Sequence, residues 1–128
     1  HVEDDAVTDK GVAPLVASRW AARFAELSLA NNELRVEGAS ALADSRSPGR
    51  LTRLWLGGNQ LGDDGAFLIA RAPRFRTLVE LSLPRNRIGP PGLAALLEAE
   101  SLAQLRSLDL TGNPLGAAGW KRLRARFG

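Results

Sequence analysis

Cysteine is absent from this chain. That single absence excludes a disulfide framework, a cysteine-ligated zinc site, an iron–sulfur cluster and a thiol nucleophile. Histidine occurs once, at His1, so the chain offers neither a histidine-dependent triad nor a histidine-rich metal centre. Apolar runs are short, and none approaches the roughly 18 residues of a membrane-spanning helix. No basic and apolar leader opens the chain, so no secretory signal is expected. A start at His1 rather than Met fits a processed or cropped terminus. These absences predict a protein without cofactor or metal, off the membrane and compatible with the cytoplasm. What remains is 128 residues, 45% hydrophobic and 24% charged, the material of one globular domain rather than a disordered tail.

Charge is unevenly spread. Residues 1–44 carry eight acids against four bases, a net of −4, and the remainder carries +7. Of 17 cations, 15 are arginine, with Lys10 and Lys121 the exceptions. The guanidinium fork matches carboxylate and phosphate oxygens, so this bias admits an acidic partner, although the base composition of the gene is the plainer explanation. Glu3, Asp4, Asp5 and Asp9 lack the glycine and distal glutamate of a calcium loop and read as a solvated acidic end.

A 27-residue period organises the chain. Asn32, Asn59, Asn86 and Asn113 keep that interval, and so do Leu27, Leu54, Leu81 and Leu108, and Leu29, Leu56, Leu83 and Leu110. Phe24, Leu51, Leu78 and Leu105 open the units; Leu34, Leu61, Ile88 and Leu115 follow each asparagine by two, and Gly38, Gly65, Gly92 and Gly119 by six. One step earlier, Val2, Asp5, Gly11 and Leu15 form a partial unit. The division expected is a single domain over 1–128: a partial repeat 1–23, full repeats 24–50, 51–77 and 78–104, and a capping repeat 105–128. Within a unit, Leu54 and Leu56 alternate as in a half-buried strand, and the apolar spacing then turns helical from about Asp64 to Arg71. Pro90 and Pro91 suit the first turn of a helix, and Asp63 and Asp64 its positive end. A strand and a helix that cannot bury their apolar faces alone stack into a parallel-stranded solenoid.

The pattern Leu-x-x-Leu-x-Leu-x-x-Asn-x-Leu-Gly-x-x-Gly, complete at 51–65 and 105–119, resembles the leucine-rich repeat family. The helix-containing unit of 27 residues is most similar to the ribonuclease-inhibitor-like class. Phe24 and Arg35 depart from it in the 24–38 copy. The resemblance implies an α/β fold, a curved horseshoe segment with parallel strands on the concave face and helices on the convex face. It further implies a protein-binding concave surface, an asparagine ladder internal to the fold, and no shared catalytic activity.

No enzymatic constellation emerges from the residues themselves. Gly57, Gly58 and Gly62 precede no phosphate-loop lysine. Asp63 and Asp64 sit at a helix start, Glu98 and Glu100 are two apart on a helix and diverge, and no base activates a serine or threonine. The informative side chains lie between the core leucines and point to the concave face. One column there reads Ser28, Trp55, Ser82, Asp109, and another Glu26, Arg53, Glu80, Ser107. Glu26, Arg53 and Glu80 are expected to pair as a charge-alternating row. Trp55, flanked by serines, is the expected centre of a partner-binding site with Arg53 and Arg85, and with Glu26, Glu80 and Asp109 around it. A second surface is the run of Arg19, Arg23, Arg46, Arg50, Arg71, Arg74 and Arg76 in the helix-to-strand connections. Stacking places it on one rim, suited to an acidic protein, an RNA or a phosphoinositide, although the rim has little aromatic interleaving beyond Phe75 and carries no RNA-binding motif.

The reading that follows is a non-enzymatic module binding a protein or peptide through its concave face. The alternatives are nucleic-acid or acidic-partner binding through the arginine rim, and a structural or sensor segment of a longer chain. Five strands present roughly 350 Å² of concave face, against about 800 Å² per partner in a standard interface, so rims must contribute or the ligand must be short. Trp120, Leu123 and Phe127, at i, i+3 and i+7, are expected to cover the last core layer, with Gly128 as a helix stop. No such cover precedes Val2, so residues before His1 or another molecule are expected to shield that end. Trp20 has no assigned role.

Overall fold

Each apolar column becomes one layer of a stack. The computed structural model describes residues 26–44 and 51–127. In chain order these form β1 (Glu26–Ser28), α1 (Val36–Asp44), β2 (Arg53–Trp55), α2 (Gly62–Arg71), β3 (Glu80–Ser82), α3 (Pro90–Glu98), β4 (Ser107–Asp109) and α4 (Gly116–Phe127). Short 3-10 turns, Pro73–Thr77 and Glu100–Leu102, lead back into β3 and β4. The strands pair in parallel in the order β1-β2-β3-β4. Their register sets Leu27, Leu54, Leu81 and Leu108 side by side, as the 27-residue spacing predicts.

The leucine columns fill the space between sheet and helices. Leu29, Leu54, Leu56, Leu81, Leu83, Ile88 and Ile69 are fully buried. Phe75 is buried with them, which corrects its expected place on the basic rim: the 3-10 turn rotates its ring inward, to the layer that Leu102 fills one unit later. Likewise Glu100 does not share a helix with Glu98 but opens the 3-10 turn after α3. Neighbouring strands lie about 4.8 Å apart whereas packed helices need about 8–10 Å, so a stack held in register bends with its sheet on the inner side.

The asparagines are structural. Asn59 donates its Nδ2 hydrogens to Leu29 O at 3.0 Å and Leu56 O at 2.8 Å, and its Oδ1 accepts from Leu34 N–H at 3.1 Å. Asn86 and Asn113 repeat the pattern one and two units on. Each asparagine therefore completes the turn of the preceding unit and so welds the two together.

Helix α3 is started by its neighbour. Its N-cap is Gly89, which has no side chain to cap with, and Pro90 and Pro91 have no N–H to satisfy. The orphan donor left is Gly92 N–H, and it goes to Asp63 Oδ1 in α2 at 2.9 Å; the same oxygen accepts Gly89 N–H at 2.8 Å. Asp63 thus serves the helix after its own. Replacing Asp63 with Ala leaves both amides to water and removes a negative charge from the positive end of α3. We expect a loss of about 1–2 kcal/mol, read as a fall in Tm of about 3–8 °C by calorimetry.

The backbone places left-handed residues in a column as well. Asn31, Gly58, Arg85 and Gly112, one per unit, all have positive φ, at 58°, 71°, 52° and 75°. Gly62 and Gly116 also do, but Gly89 between them is extended at φ −103°. A residue before proline is confined to extended backbone, so Pro90 forbids Gly89 the conformation of its counterparts. The turn moves forward, and Arg87 takes φ 62°.

Candidate concave interaction surface

The two concave columns differ from the expected row. Arg53 Nη1 reaches Glu26 Oε2 at 2.7 Å, and both side chains are about half exposed, so the pair contributes only about 0–1 kcal/mol. Glu80 does not extend it. Its Oε2 instead accepts the indole N–H of Trp55. The reason is geometric and chemical. Trp55 lies diagonally across from Glu80 on the same face, within reach of long side chains, and a partly desolvated indole N–H takes an acceptor. Arg53 already has Glu26. The row is two bonded pairs on neighbouring strands, Glu26–Arg53 and Trp55–Glu80.

Trp55 is accordingly half-buried with its ring orientation fixed at the N–H edge. Ser28, expected on the open surface, is buried at 1% exposure. It pairs in register with Trp55. Ser82, on the other flank, is half-buried.

Arg85 and Asp109 stand apart from this group, at the exits of β3 and β4. Backbone bonds join the two exits: Leu83 N–H donates to Asp109 O at 2.8 Å and Arg85 N–H to Thr111 O at 2.9 Å. Arg85 is exposed, and its Cγ would lie 2.7 Å from a Cβ built on Gly112, so its stem crosses the β4 turn. Among the described residues no ion pair or side-chain hydrogen bond engages its guanidinium. It also holds a left-handed conformation where Gly58 and Gly112 stand in neighbouring units, a placement that costs a side-chain-bearing residue about 1–2 kcal/mol. Asp109 Oδ1 is held by Thr111, through its N–H at 2.9 Å and its hydroxyl. Thr111 escaped the sequence reading, although Asp-x-Thr after a strand is the spacing of a side-chain-closed turn.

The rim is represented by Arg71 and Arg76, both exposed. Arg19, Arg23, Arg46 and Arg50, the side chain of Arg74, Trp20, the first repeat and the expected open end near Val2 lie outside the described residues. No group of three or more His, Cys, Asp or Glu side chains able to hold a metal occurs among the described residues. No described helix is long and apolar enough to cross a membrane.

A search of curated proteins found no match. The family model for the leucine-rich repeat matches residues 25–43, 51–70, 76–97 and 103–123. Those matches coincide with the strand, asparagine turn and helix of each described unit, and together they cover more than half of the sequence. The chain belongs to the leucine-rich repeat family, of the ribonuclease-inhibitor-like type, with four matched repeats.

Proposed function

We propose that the chain is a non-catalytic module that binds a protein or peptide partner on its concave face, with Trp55 at the centre. The observation that carries this reading is the half-buried indole anchored by Glu80 on a face otherwise made of short or charged side chains. A preoriented aromatic loses little freedom on binding, and tryptophan and arginine are enriched among residues that dominate interfaces. Glu26 and Arg53 border it on one side, and Arg85 and Asp109 at the strand exits extend it on the other. The extension is needed: four strands of about 15 Å offer roughly 300 Å², below the 800 Å² or so of a standard interface. Among the described residues nothing specific favours the rim as a nucleic-acid site: Arg71 and Arg76 are exposed, but Phe75 beside them belongs to the core.

The test begins with capture of the partner from a source lysate, with and without nuclease, followed by titration of the purified partner. Trp55→Ala is expected to weaken that complex by about 2 kcal/mol, roughly thirtyfold, while the melting curve changes little. Arg85→Gly supplies the residue that Gly58 and Gly112 hold in the same column. It should bind more weakly with no loss of Tm. Capture that disappears with nuclease, or affinity indifferent to Trp55, would sink the proposal.

A further inference from the structure

The convex side carries two helix faces that complement each other. Residues at i, i+3, i+4 and i+7 of a helix share one side. On α2 these are Asp64, Phe67, Leu68 and Arg71, and on α3, 27 residues on, they are Pro91, Ala94, Ala95 and Glu98. All eight are exposed or half-buried. Phe67 and Arg71 on one wall, and Pro91, Ala94, Ala95 and Glu98 on the other, line a groove of about 620 Å³. Level by level, one wall holds what the other lacks. Phe67 and Leu68 are large where Ala94 and Ala95 are small, and Arg71 is positive where Glu98 is negative. Phe67 is also out of character for its column, which otherwise reads Ser40, Ala94 and Lys121. Its ring leaves apolar surface open to water along the groove. Among the described residues Arg71 makes no ion pair or side-chain hydrogen bond, and Glu98 has a loose contact of 3.8 Å with Arg122. α1 and α4 flank the two helices, so the groove belongs to the middle of the stack.

We propose that two copies of this chain associate back to back through this groove, about a two-fold axis parallel to α2 and α3 and midway between them. That rotation exchanges the two walls without changing the level along the helices, so each position meets its counterpart one unit away. Phe67 and Leu68 of one copy lie over Ala94 and Ala95 of the other, and Arg71 lies over Glu98. Asp64 comes to Pro91, at the positive end of α3. Every contact is made twice. An antiparallel pairing that kept Phe67 on Ala94 would instead carry Arg71 to that positive end, where it is repelled. The stack bends away on either side of the groove, which confines the contact to α2 and α3. Two helices about 15 Å long and about 10 Å apart give roughly 300 Å² per copy. A standard interface has about 800 Å² per partner, so the association is weak and transient. Both concave faces then look outward. The pair presents Trp55 twice, which favours a partner carrying two copies of its epitope.

Sedimentation equilibrium of the whole chain, over roughly 10 µM to 1 mM, reads this association directly. We expect monomer and dimer with no larger species, because an isologous contact closes on itself. Phe67→Ser, the residue that Ser40 supplies in the same column, should weaken dimerisation about tenfold or more with little change in Tm. Arg71→Glu alone and Glu98→Arg alone should each weaken it as well, since like charges then meet twice. Mixed together, those two variants should form a heterodimer about tenfold tighter than either homodimer, because both of its charge contacts are again of opposite sign. Trp55→Ala should leave dimerisation unchanged, which separates this groove from the concave face. A wild-type chain still monomeric at the top of the concentration range would overturn the proposal. So would dimerisation indifferent to Phe67→Ser, a mixture of the charge variants no tighter than its components, or growth into open-ended oligomers. A monomeric chain that captures a different protein, and loses it on Phe67→Ser, would assign the groove to a foreign partner and overturn the proposal too.

Discussion

Replacing Asn113 with Ala should lower stability by about 4 kcal/mol or more, the largest effect expected of any polar substitution in the described chain. Its Oδ1 alone accepts Asn86 N–H at 2.8 Å and Ile88 N–H at 3.0 Å. Its Nδ2 serves Leu83 O at 2.8 Å and Leu110 O at 3.0 Å. Asn86 and Ile88 are fully buried, so water cannot readily take over the two abandoned amides, and each orphan group costs about 1–3 kcal/mol. The damage falls mainly on the preceding unit. We expect Tm to drop by about 12–20 °C, with the loss of exchange protection greatest at Asn86 and Ile88. A drop of only a few degrees would mean that the turn of the preceding unit holds without the ladder. Asn113→Asp is a useful companion, since it keeps the acceptor for both amides yet sets a carboxylate against the Leu83 and Leu110 carbonyls.

Replacing Gly92 with Ala should cost about 3 kcal/mol, although alanine is the better helix former. A Cβ at this position would lie 2.6 Å from Asp63 Oδ1, 2.8 Å from Ile88 Cγ2 and 3.2 Å from Ala66 Cβ. Ile88 and Ala66 are fully buried and have nowhere to move. Overpacking of this kind costs about 1–3 kcal/mol, and displacing Asp63 forfeits the start of α3 as well. A double variant, Asp63→Ala with Gly92→Ala, should then be less destabilised than the sum of the two single changes, because the cap is lost once. Strict additivity in urea denaturation would show that the methyl group and the carboxylate do not compete for the same space.

The solenoid was legible because its determinants are local and repeated. A leucine every 27 residues fixes the register of four strands without any knowledge of side-chain packing, and Asn59 or Asn113 announces its turn by position alone. Pro90 and Pro91 marked a helix start that the structure places at those two residues. What stayed hidden depended on side chains choosing among several partners. Periodicity cannot say that Glu80 prefers the Trp55 indole to Arg53, since both lie within reach of one flexible carboxylate. Nor can it say that Asp63 caps the following helix rather than its own, because that depends on prolines having emptied the first turn of α3. Phe75 was misplaced for a related reason: one 3-10 turn decides whether a side chain in a connection faces solvent or core.

The carboxylate of Asp63 also gives the repeats an order of assembly. Consensus engineering treats such units as interchangeable bricks, yet this cap needs two unlike neighbours: an aspartate at the head of one helix and an extended glycine before two prolines at the head of the next. Gly62, in the place of Gly89 one unit earlier, has φ 65° rather than −103°, so a tandem of identical 51–77 units would present the aspartate to a turn of the wrong shape. The 51–77 unit therefore fits best directly ahead of the 78–104 unit, and a shuffled array built from the same parts would lose the joint while keeping every leucine.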